Sequence, residues 1–258
     1  MRPERPAPGV LRVALAAIHR AGSIAQRAFG TRLRVEMKAD ATPVTAIDRA
    51  GEETIRRMIT RAFPGDGFLG EEFGDTRPGA EHRWIIDPID GTKSYIRGIP
   101  TWGCLLARET HGRVDLGILY LPPLRQTLWA TRGGGAFLDG QRLRVSRQAT
   151  LRGSYLMNGG LDAFRSRGAL ARLGRLAARS AIISSPGDCT AYRWVAGGHA
   201  DAVIEAAISP WDIAALKVII EEAGGRLTDW RGRDSHMISD VVASNGLLHP
   251  AVLKALRP

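Results

Sequence analysis

The chain has 258 residues, 44% of them hydrophobic and 24% charged, which is an ordinary composition for a globular enzyme. No apolar run reaches the roughly eighteen residues that a transmembrane helix needs, so we expect no membrane partner. The two cysteines, Cys104 and Cys189, fit neither a disulfide framework nor a zinc-knuckle spacing and indicate a reducing cytoplasm. The net charge of +10 attracts anions of any size, from small molecules to nucleic acid.

In the first half of the chain the pattern predicts two helices and then a series of strands. The helices are predicted over about residues 9 to 29 and from Pro43 through the segment VTAIDRAGEETIRRMITRAF. A turn-rich segment, PGDGFLGEEFG, surrounds a short predicted strand. The strand-like segments RWIID, TWGCLLARE, RVDLGILYLP, TLWATR and AFLDGQRLRV then predict a largely antiparallel sheet. Pro88 predicts that the first of these strands ends at Asp87.

After about residue 150 strand-like and helical segments alternate. The last long helix, WDIAALKVIIEEAGG, is predicted to end on Gly224 and Gly225, which are suited to a C-terminal cap. The two patterns predict a layered α/β fold in a single domain over residues 1–258. Its metal-binding half, with the meander, is expected over about 1–150 and a second α/β half over about 151–258.

The most basic stretch is FRSRGALARLGRLAARS, which holds five arginines and no acid. Leu170, Leu173 and Leu176 recur near the helical period, so one amphipathic helix with a solvated basic face is predicted. Because aromatic side chains for base stacking are missing apart from Phe164, we expect no nucleic acid partner. A basic protein that binds polyanions stays open as an alternative from another functional class.

Acidic residues form the strongest chemical signal. Asp87 and Asp90 follow the apolar WII and are separated by only Pro88 and Ile89, and buried carboxylates are costly unless a positive partner compensates them. Mg²⁺ prefers such oxygen ligands, completed by water and substrate phosphate. The amides of the turn after Asp90 offer sites for a phosphate oxygen. Further acids stand in short segments elsewhere in the chain: Asp48 in TAIDRA, Glu71 and Glu72 in GEEFG, and Asp212 in SPWDIAA. For Asp212 alone, a helix cap is the simpler interpretation.

Three of these segments, GEEFG, WIIDPIDGT and WDIAA followed by EEAGG, resemble the signatures of the inositol monophosphatase superfamily. The resemblance covers about residues 10 to 255. It implies an αβαβα layered fold, a Mg²⁺-dependent and lithium-sensitive phosphomonoesterase activity, two or three Mg²⁺ ions in each active site and a homodimer.

By position, the resemblance implies a role for each site residue. The expected metal ligands are Glu71, Asp87, the Ile89 carbonyl, Asp90 and Asp212, with Asp87 shared between two ions. Thr92, hydrogen-bonded towards Asp48, would orient and help deprotonate the attacking water. Glu72 would contact the catalytic residues and metal ligands without binding the metal itself. The expected substrate-binding residues are Gly91, Thr92, Asp188, Glu205 and Asp212. Lys38 would belong to a mobile lid.

The choice of ester rests on two segments, DGTKSYIRG and SPGDCTAYRW, which are similar to the histidinol-phosphate phosphatases of this superfamily. Histidinol phosphate carries cationic groups, which Asp188 and Glu205 could receive. This predicts hydrolysis of L-histidinol phosphate in histidine biosynthesis. Asp188 as an ordinary turn residue stays open. So does a substrate such as an inositol phosphate, a sugar phosphate or a 3′-phosphonucleotide, because Lys93 alone cannot decide.

Overall fold

The computed structural model describes residues 6–37 and 43–257. Helices and strands occur in both of these ranges. The helices are α1 (Pro8–Ala28), α2 (Ala46–Ala62), α3 (Thr92–Tyr95), α4 (Leu161–Ser166), α5 (Leu170–Ala177), α6 (Thr190–Ala196), α7 (Pro210–Glu222) and α8 (His249–Leu256). The C-terminus of α7 confirms its prediction, because Gly224 has a φ of 96° and the Gly225 amide donates to Ile220.

The strands fall into a two-stranded pair and two larger sheets. The pair joins β1 (Val35–Met37) and β2 (Pro43–Thr45). The large sheet holds β3 (Gly67–Gly70), β4 (Gly74–Thr76), β5 (His82–Asp90), β6 (Gly103–Thr110), β7 (Arg113–Leu121), β8 (Gln126–Thr131), β9 (Gly135–Leu138) and β10 (Gln141–Arg142). The smaller sheet holds β11 (Tyr155–Asn158), β12 (Ile182–Ser184), β13 (Ala202–Glu205), β14 (Arg226–Thr228) and β15 (Val241–Ser244).

The large sheet confirms the predicted meander. Its strand order is β10-β9-β8-β7-β6-β5-β3-β4, and every pair is antiparallel except the parallel pair of β3 and β5. In the smaller sheet, of order β12-β11-β13-β15-β14, the two pairs made by β11 are parallel. This mixture follows from the alternation of strands and helices after residue 150.

Alternating side chains on the strands build the layers. Trp84 and Ile86 of β5 pack with α1 and α2 on one face of the large sheet, whereas Ile85 packs with α6 and α7 on the other. Helix α7 also contacts β14 and β15, so it lies between the two sheets. The outer face of the small sheet is covered by α4, α5 and α8, through residues such as Ile204 and Val252. This order of layers confirms the predicted αβαβα arrangement.

Strand β5 does not end at Asp87, so that prediction is wrong. The strand continues to Asp90, with Asp87 opposite Leu105 and Asp90 opposite Gly103 on β6. Three steps on β5 therefore oppose two on β6, which is a β-bulge that accommodates Pro88. The bulge changes the facing of the strand, because Ile89 packs on the α1–α2 side although regular alternation would place it on the side of Ile85.

Helix α2 begins three residues later than predicted, because Pro43–Thr45 form strand β2. Thr45 is the N-cap, with an extended φ of −122°, and its side chain accepts a hydrogen bond from the Ile47 amide. Asp48 completes a capping box by accepting from the Thr45 amide at 2.8 Å. The capping residue thus sets the helix start.

The arginine-rich stretch also differs from its prediction of one helix. It forms α4 and α5, separated by Gly168 with a φ of 63°, a left-handed conformation that interrupts the helix. Leu173 and Leu176 are buried as predicted, but Leu170 begins α5 with its side chain exposed. Among the described residues, no helix is both long and apolar enough to span a membrane.

A buried histidine links the small sheet to α8. His249 lies between the hydroxyls of Thr228 and Ser244, at 2.9 and 2.8 Å from its two ring nitrogens. The Thr228 hydroxyl donates to the Asp229 carbonyl, so it accepts from His249 Nε2, and Nδ1 accepts from Ser244. The neutral ring satisfies this network, and burial lowers the pKa of His249 to about 4.

We expect His249 to make the protein sensitive to acid. Because the folded pKa lies below the unfolded value of about 6.5, this group's stabilising contribution is lost as pH falls from 6.5 to 4, up to about 3 kcal/mol. Urea unfolding at pH 7 and pH 5 should show a smaller difference for His249→Asn than for the wild type. The exposed His111, changed in the same way, is the matched control and should leave the difference unchanged. Equal acid sensitivity in the His249 variant would contradict this assignment.

Candidate active site

Three carboxylates from two elements meet at one point. The bulge in β5 places Asp87 and Asp90 on the side of the sheet that faces α7, and the first turn of α7 supplies Asp212. One oxygen from each of the three lies within 4.8 Å of the others. Such a spacing is suited to a shared cation, and the three residues include no nitrogen or sulfur ligand.

Asp212 serves as a cap and as a member of this cluster. One of its oxygens, Oδ2, accepts from the Ser209 amide at 2.7 Å, and the Ser209 side chain completes the capping box. Pro210 at the start of α7 suits the first helical position because no partner is needed for its missing amide hydrogen. Asp212 therefore caps α7 and also contributes an oxygen to the cluster.

The cluster is electrostatically strained without a cation. Burial raises the pKa of Asp87 well above its usual value, and repulsion from Glu71, Asp90 and Asp212 raises it further. For Asp90 burial again comes first, followed by repulsion from Asp188 and Asp212. Burial raises the pKa of Asp212 to about 7. A bound cation would relieve this repulsion.

Most of the predicted residues surround one cavity of about 220 Å³. Its lining consists of Glu71, Asp87, Ile89, Asp90, Gly91, Thr92, Lys93, Asp188 and Asp212. Glu71 follows the end of β3 and approaches Asp87 closely enough for their side chains to interact. Glu72 does not line this cavity, and its amide donates instead to Glu52 Oε2 at 2.8 Å.

The turn after β5 brings backbone close to the cavity. Gly91 has a φ of 85°, and a Cβ there would lie 2.8 Å from Asp188 Oδ2 and 2.9 Å from the Thr101 carbonyl oxygen. Only glycine fits this left-handed and crowded position. Thr92 begins α3 directly after it, so the turn places the Gly91–Thr92 backbone beside the acidic cluster.

The expected hydrogen bond from Thr92 towards Asp48 is absent, although both residues are described. The Thr92 hydroxyl donates to the Ile89 carbonyl at 3.0 Å, and Asp48 Oδ2 accepts from both the amide and the hydroxyl of Thr45. Capping α2 therefore takes one oxygen of Asp48. The other, Oδ1, is buried without a hydrogen-bond partner among the described residues. Burial raises the pKa of Asp48.

A larger cavity of about 690 Å³ continues from the cluster towards α4 and α6. Asp90, Asp188 and Asp212 line both cavities, and Glu205, at the end of β13, lines only the larger one. Burial raises the pKa of Glu205 to about 8, and Tyr192 donates a hydrogen bond to its Oε2 at 3.1 Å. The acidic site thus extends well beyond the three clustered aspartates.

Asp188 stands in an unusual backbone conformation. Its φ is 46°, directly after Gly187 with a φ of 89°. Its Oδ2 accepts from the Ser94 hydroxyl at 3.3 Å, and the next amide, that of Cys189, donates to Asp90 Oδ2 at 2.6 Å. Aspartate tolerates this left-handed region better than most residues, which agrees with the turn interpretation of Asp188. The turn nonetheless directs its carboxylate into the site.

Two lysines predicted near the site have different outcomes. Lys38 lies outside the described residues. Lys93 lines both cavities and forms an ion pair of 3.3 Å with Asp162 on α4, with both side chains mostly exposed. Asp162 therefore balances part of the positive charge of Lys93 at the edge of the cavities.

Sequence reasoning missed three contributors, Glu52, Tyr192 and the amide of Cys189. A signal existed only for Glu52. It lies one helical turn after Asp48 and one turn before Ile55, on the buried face of α2, where an acid is unusual. The other two contacts join residues distant in sequence, so no local pattern indicates them.

The residues present fit a hard divalent cation. The clustered donors are all carboxylate oxygens, they are buried, and their pKa values are raised by burial and by mutual repulsion. Adding positive charge at this point compensates groups that are otherwise costly to ionise.

Comparison with known proteins agrees with this geometry. The model of the inositol monophosphatase family matches residues 9–258. The chain belongs to this family. It is similar to a histidinol-phosphatase of Mycobacterium tuberculosis, with 41% identity over 95% of this chain and 97% of that protein. It is also similar to a fructose-1,6-bisphosphatase/inositol-1-monophosphatase of Thermotoga maritima, with 37% identity over 83% of this chain and 82% of that protein.

Among solved structures, the Thermotoga maritima IMPase has a TM-score of 0.88 and 32% sequence identity, covering 96% of each chain. These similarities confirm the predicted family, and the protein is an enzyme of the phosphomonoesterase class. The αβαβα fold predicted from the resemblance is therefore supported by both the layers and the relatives.

We expect Asp90→Asn to remove the effect of added Mg²⁺ on the thermal stability of the protein. A raised folded pKa means that the carboxylate's unfavourable contribution grows as pH rises above about 4, so the variant should be at least as stable as the wild type at pH 8 without metal. It should also lose the rise in melting temperature that Mg²⁺ gives the wild type. Calorimetry with and without Mg²⁺ measures both effects. The exposed Glu81, changed to Gln, is the control, and full Mg²⁺ stabilisation of the Asp90 variant would reject the cation site.

Proposed function

We propose that this enzyme is a Mg²⁺-dependent phosphatase that hydrolyses L-histidinol phosphate to L-histidinol and inorganic phosphate, in histidine biosynthesis. The observation that carries the proposal is the pair of acids, Asp188 and Glu205, in the larger cavity beside the metal-binding cluster. An alcohol that carries cationic groups gains most from such acids. Relatives named histidinol-phosphatase, at 38 to 41% identity, support the same substrate.

The metal ligands in this proposal are Glu71, Asp87, the Ile89 carbonyl, Asp90 and Asp212. When bound there, two or three Mg²⁺ ions supply positive charge for the attacking and leaving oxygens. The described cluster of Asp87, Asp90 and Asp212 supports this assignment.

Residues of the chain position the phosphate and the water. The amides of Gly91 and Thr92 receive phosphate oxygens, because their turn lines the smaller cavity. The Thr92 hydroxyl donates to Ile89, which leaves its oxygen able to accept a hydrogen bond from the attacking water. Asp48 and Glu72 complete the catalytic set from α2 and from the end of β3. The water oxygen attacks phosphorus, the ester P–O bond breaks, and the alkoxide formed takes a proton to become histidinol.

An inositol or sugar phosphate is the second candidate. The chain's similarity to a fructose-1,6-bisphosphatase/inositol-1-monophosphatase supports it, and a cavity of about 690 Å³ is large enough for such esters. Hydroxyl groups would then contact the same acids, with less gain from their charge. The two candidates differ in the role they give to Asp188.

The contacts of the basic stretch weaken the polyanion-binding alternative. Arg167 pairs with Asp240 and donates to the Ser239 carbonyl, and Arg175 donates to the carbonyls of Ala255 and Arg257. Arg172 lies over the Trp230 ring, with 5.8 Å from its guanidinium carbon to the ring centre. These arginines contribute to packing α4 and α5 against neighbouring segments, so a structural role explains them.

The proposal also includes a homodimer in the cytoplasm. Cys104 and Cys189 are buried free thiols on opposite faces of the large sheet, which suits a reducing compartment. Exposed apolar side chains such as Ile99, Leu161 and Ile182 offer surface that a second copy could cover. Light scattering after gel filtration measures the mass directly, and a monomer would reject the dimer.

Phosphate release tests the substrate assignment. With Mg²⁺ present, we expect kcat/KM for L-histidinol phosphate to exceed that for myo-inositol 1-phosphate and for 3′-phosphoadenosine 5′-phosphate by at least about tenfold, since a charged contact contributes roughly 1.5–3 kcal/mol. Omitting Mg²⁺ should abolish release from all three. Efficient turnover of the inositol ester alone would favour the second candidate and reject the first.

Asp188→Asn tests recognition of the substrate's cation. Asparagine tolerates the φ of 46° and can still accept from Ser94, so the change removes mainly the charge. We expect kcat/KM for histidinol phosphate to fall about 10- to 100-fold and that for inositol phosphate to change less than threefold. Asp162→Asn is the control, because Asp162 lines the same cavity but is mostly exposed and paired with Lys93. An equal loss on both esters would show that Asp188 acts on the site as a whole.

A further inference from the structure

Glu52 is a buried acid that the roles described so far leave unexplained. It lies on α2, one helical turn after Asp48, and its side chain is 0% exposed. A carboxylate is rarely buried so completely unless its oxygens have partners. Its partners therefore indicate why the position is acidic.

Both oxygens of Glu52 accept hydrogen bonds, and one of these comes from the segment that carries two predicted site acids. Oε1 accepts from Arg56 Nε at 2.7 Å, and Oε2 accepts from the Glu72 amide at 2.8 Å. Gly70 permits this approach, because a Cβ there would overlap the Glu52 carboxylate. Glycine is therefore required at position 70, next to Glu71, because a larger residue would displace the Glu52 carboxylate.

Arg56 extends the attachment along the same segment. Its Nη2 donates to the Gly74 carbonyl at 2.7 Å and its Nη1 to the Thr76 hydroxyl at 3.2 Å. Its guanidinium also lies over the Phe68 ring, 5.0 Å from the centre, and over that of Phe73 at 5.8 Å. One side chain therefore contacts the strands on both sides of the Glu71–Glu72 turn.

The anchor acts against electrostatic repulsion on one acid of the turn, Glu71. Glu71 and Asp87 repel each other, and the Glu71 amide is held from the other side by the Ile86 carbonyl of β5 at 3.1 Å. A rotation of the turn that moves Glu71 away from Asp87 would relieve this repulsion, and the hydrogen bond from the Glu72 amide to Glu52 opposes that rotation. Arg56 balances the charge of Glu52.

We propose that Glu52, with Arg56, is a positioning residue for the metal site, which holds the Glu71–Glu72 turn so that the Glu71 carboxylate faces Asp87. This role deepens the proposed function, because it rests on Glu71 as a metal ligand. Glu52 itself lines neither of the two cavities. Its contribution should appear in metal affinity more than in the rate at saturating metal.

Glu52→Gln, with Glu53→Gln as the matched control, tests the role. Glu53 is the next residue on α2 and is exposed. Glutamine replaces one carboxylate oxygen by an NH2 donor, which would face either Arg56 Nε or the Glu72 amide, so one of the two hydrogen bonds is lost. We expect the Mn²⁺ affinity, measured by EPR titration without substrate, to fall about tenfold, and the half-saturating Mg²⁺ in the phosphatase assay to rise equally. Hydrogen exchange at the Glu72 amide should become about tenfold faster, while kcat at saturating Mg²⁺ changes less than about threefold and Glu53→Gln changes nothing.

A second pair of variants keeps the test decisive if Glu52→Gln does not fold. Arg56→Lys leaves the carboxylate in place but cannot reach Glu52, Gly74 and Thr76 together, so a smaller loss of Mn²⁺ affinity, about threefold, is expected. Arg57→Lys, at an exposed neighbour, is its control. The proposal is overturned if the Mn²⁺ affinity of the folded variants stays within twofold of the wild type, even when Glu72 exchange is faster, because Glu52 would then act only on stability.

The metal titration separates this proposal from the proposed function. If the wild type binds Mn²⁺ with an affinity that depends on Glu52 but hydrolyses none of the esters, the positioning role stands and the substrate assignment fails. If the wild type hydrolyses histidinol phosphate and Glu52→Gln leaves Mn²⁺ affinity unchanged, the positioning role fails and the function stands.

Discussion

The structure of the site depends on the repulsion among carboxylates gathered where water is largely excluded. Asp87, Asp90 and Asp212 have oxygens within 4.8 Å of one another, and burial and repulsion raise the pKa of each. An unfolded chain would separate these charges at once. The fold must therefore hold them in place, and a cation of high charge can offset part of the cost.

The acids are held by rigid elements. Asp87 and Asp90 stand on β5, which lies between β3 and β6 in the large sheet, and Asp212 begins α7, which is packed between two sheets. Asp212 and Asp48 share one device, since each closes a capping box with one oxygen at the start of a helix. This arrangement fixes each carboxylate through one oxygen, while Asp212 also contributes an oxygen to the acidic cluster.

How much the sequence could predict varied with the range of each interaction. The meander and α7 with its glycine cap follow from local periodicity and residue chemistry, and they were predicted correctly. The end of β5 at Asp87 was wrong, because a bulge accommodates Pro88 without ending the strand. The single arginine helix was wrong because Gly168 adopts a left-handed conformation. The predicted Thr92–Asp48 hydrogen bond is absent, because the Thr92 hydroxyl donates to the Ile89 carbonyl instead.

By itself the sequence determined which oxygen donors are present, the order in which the chain presents them, and the family to which these motifs belong. It did so because turn chemistry, helix capping and strand alternation act over a few residues. Only the tertiary structure decided that the bulge brings Asp87 and Asp90 to the side of Asp212, that Asp188 and Glu205 line one cavity, and that Glu52 holds the Glu72 amide. Those contacts depend on distance and desolvation in three dimensions, which spacing along the chain does not encode.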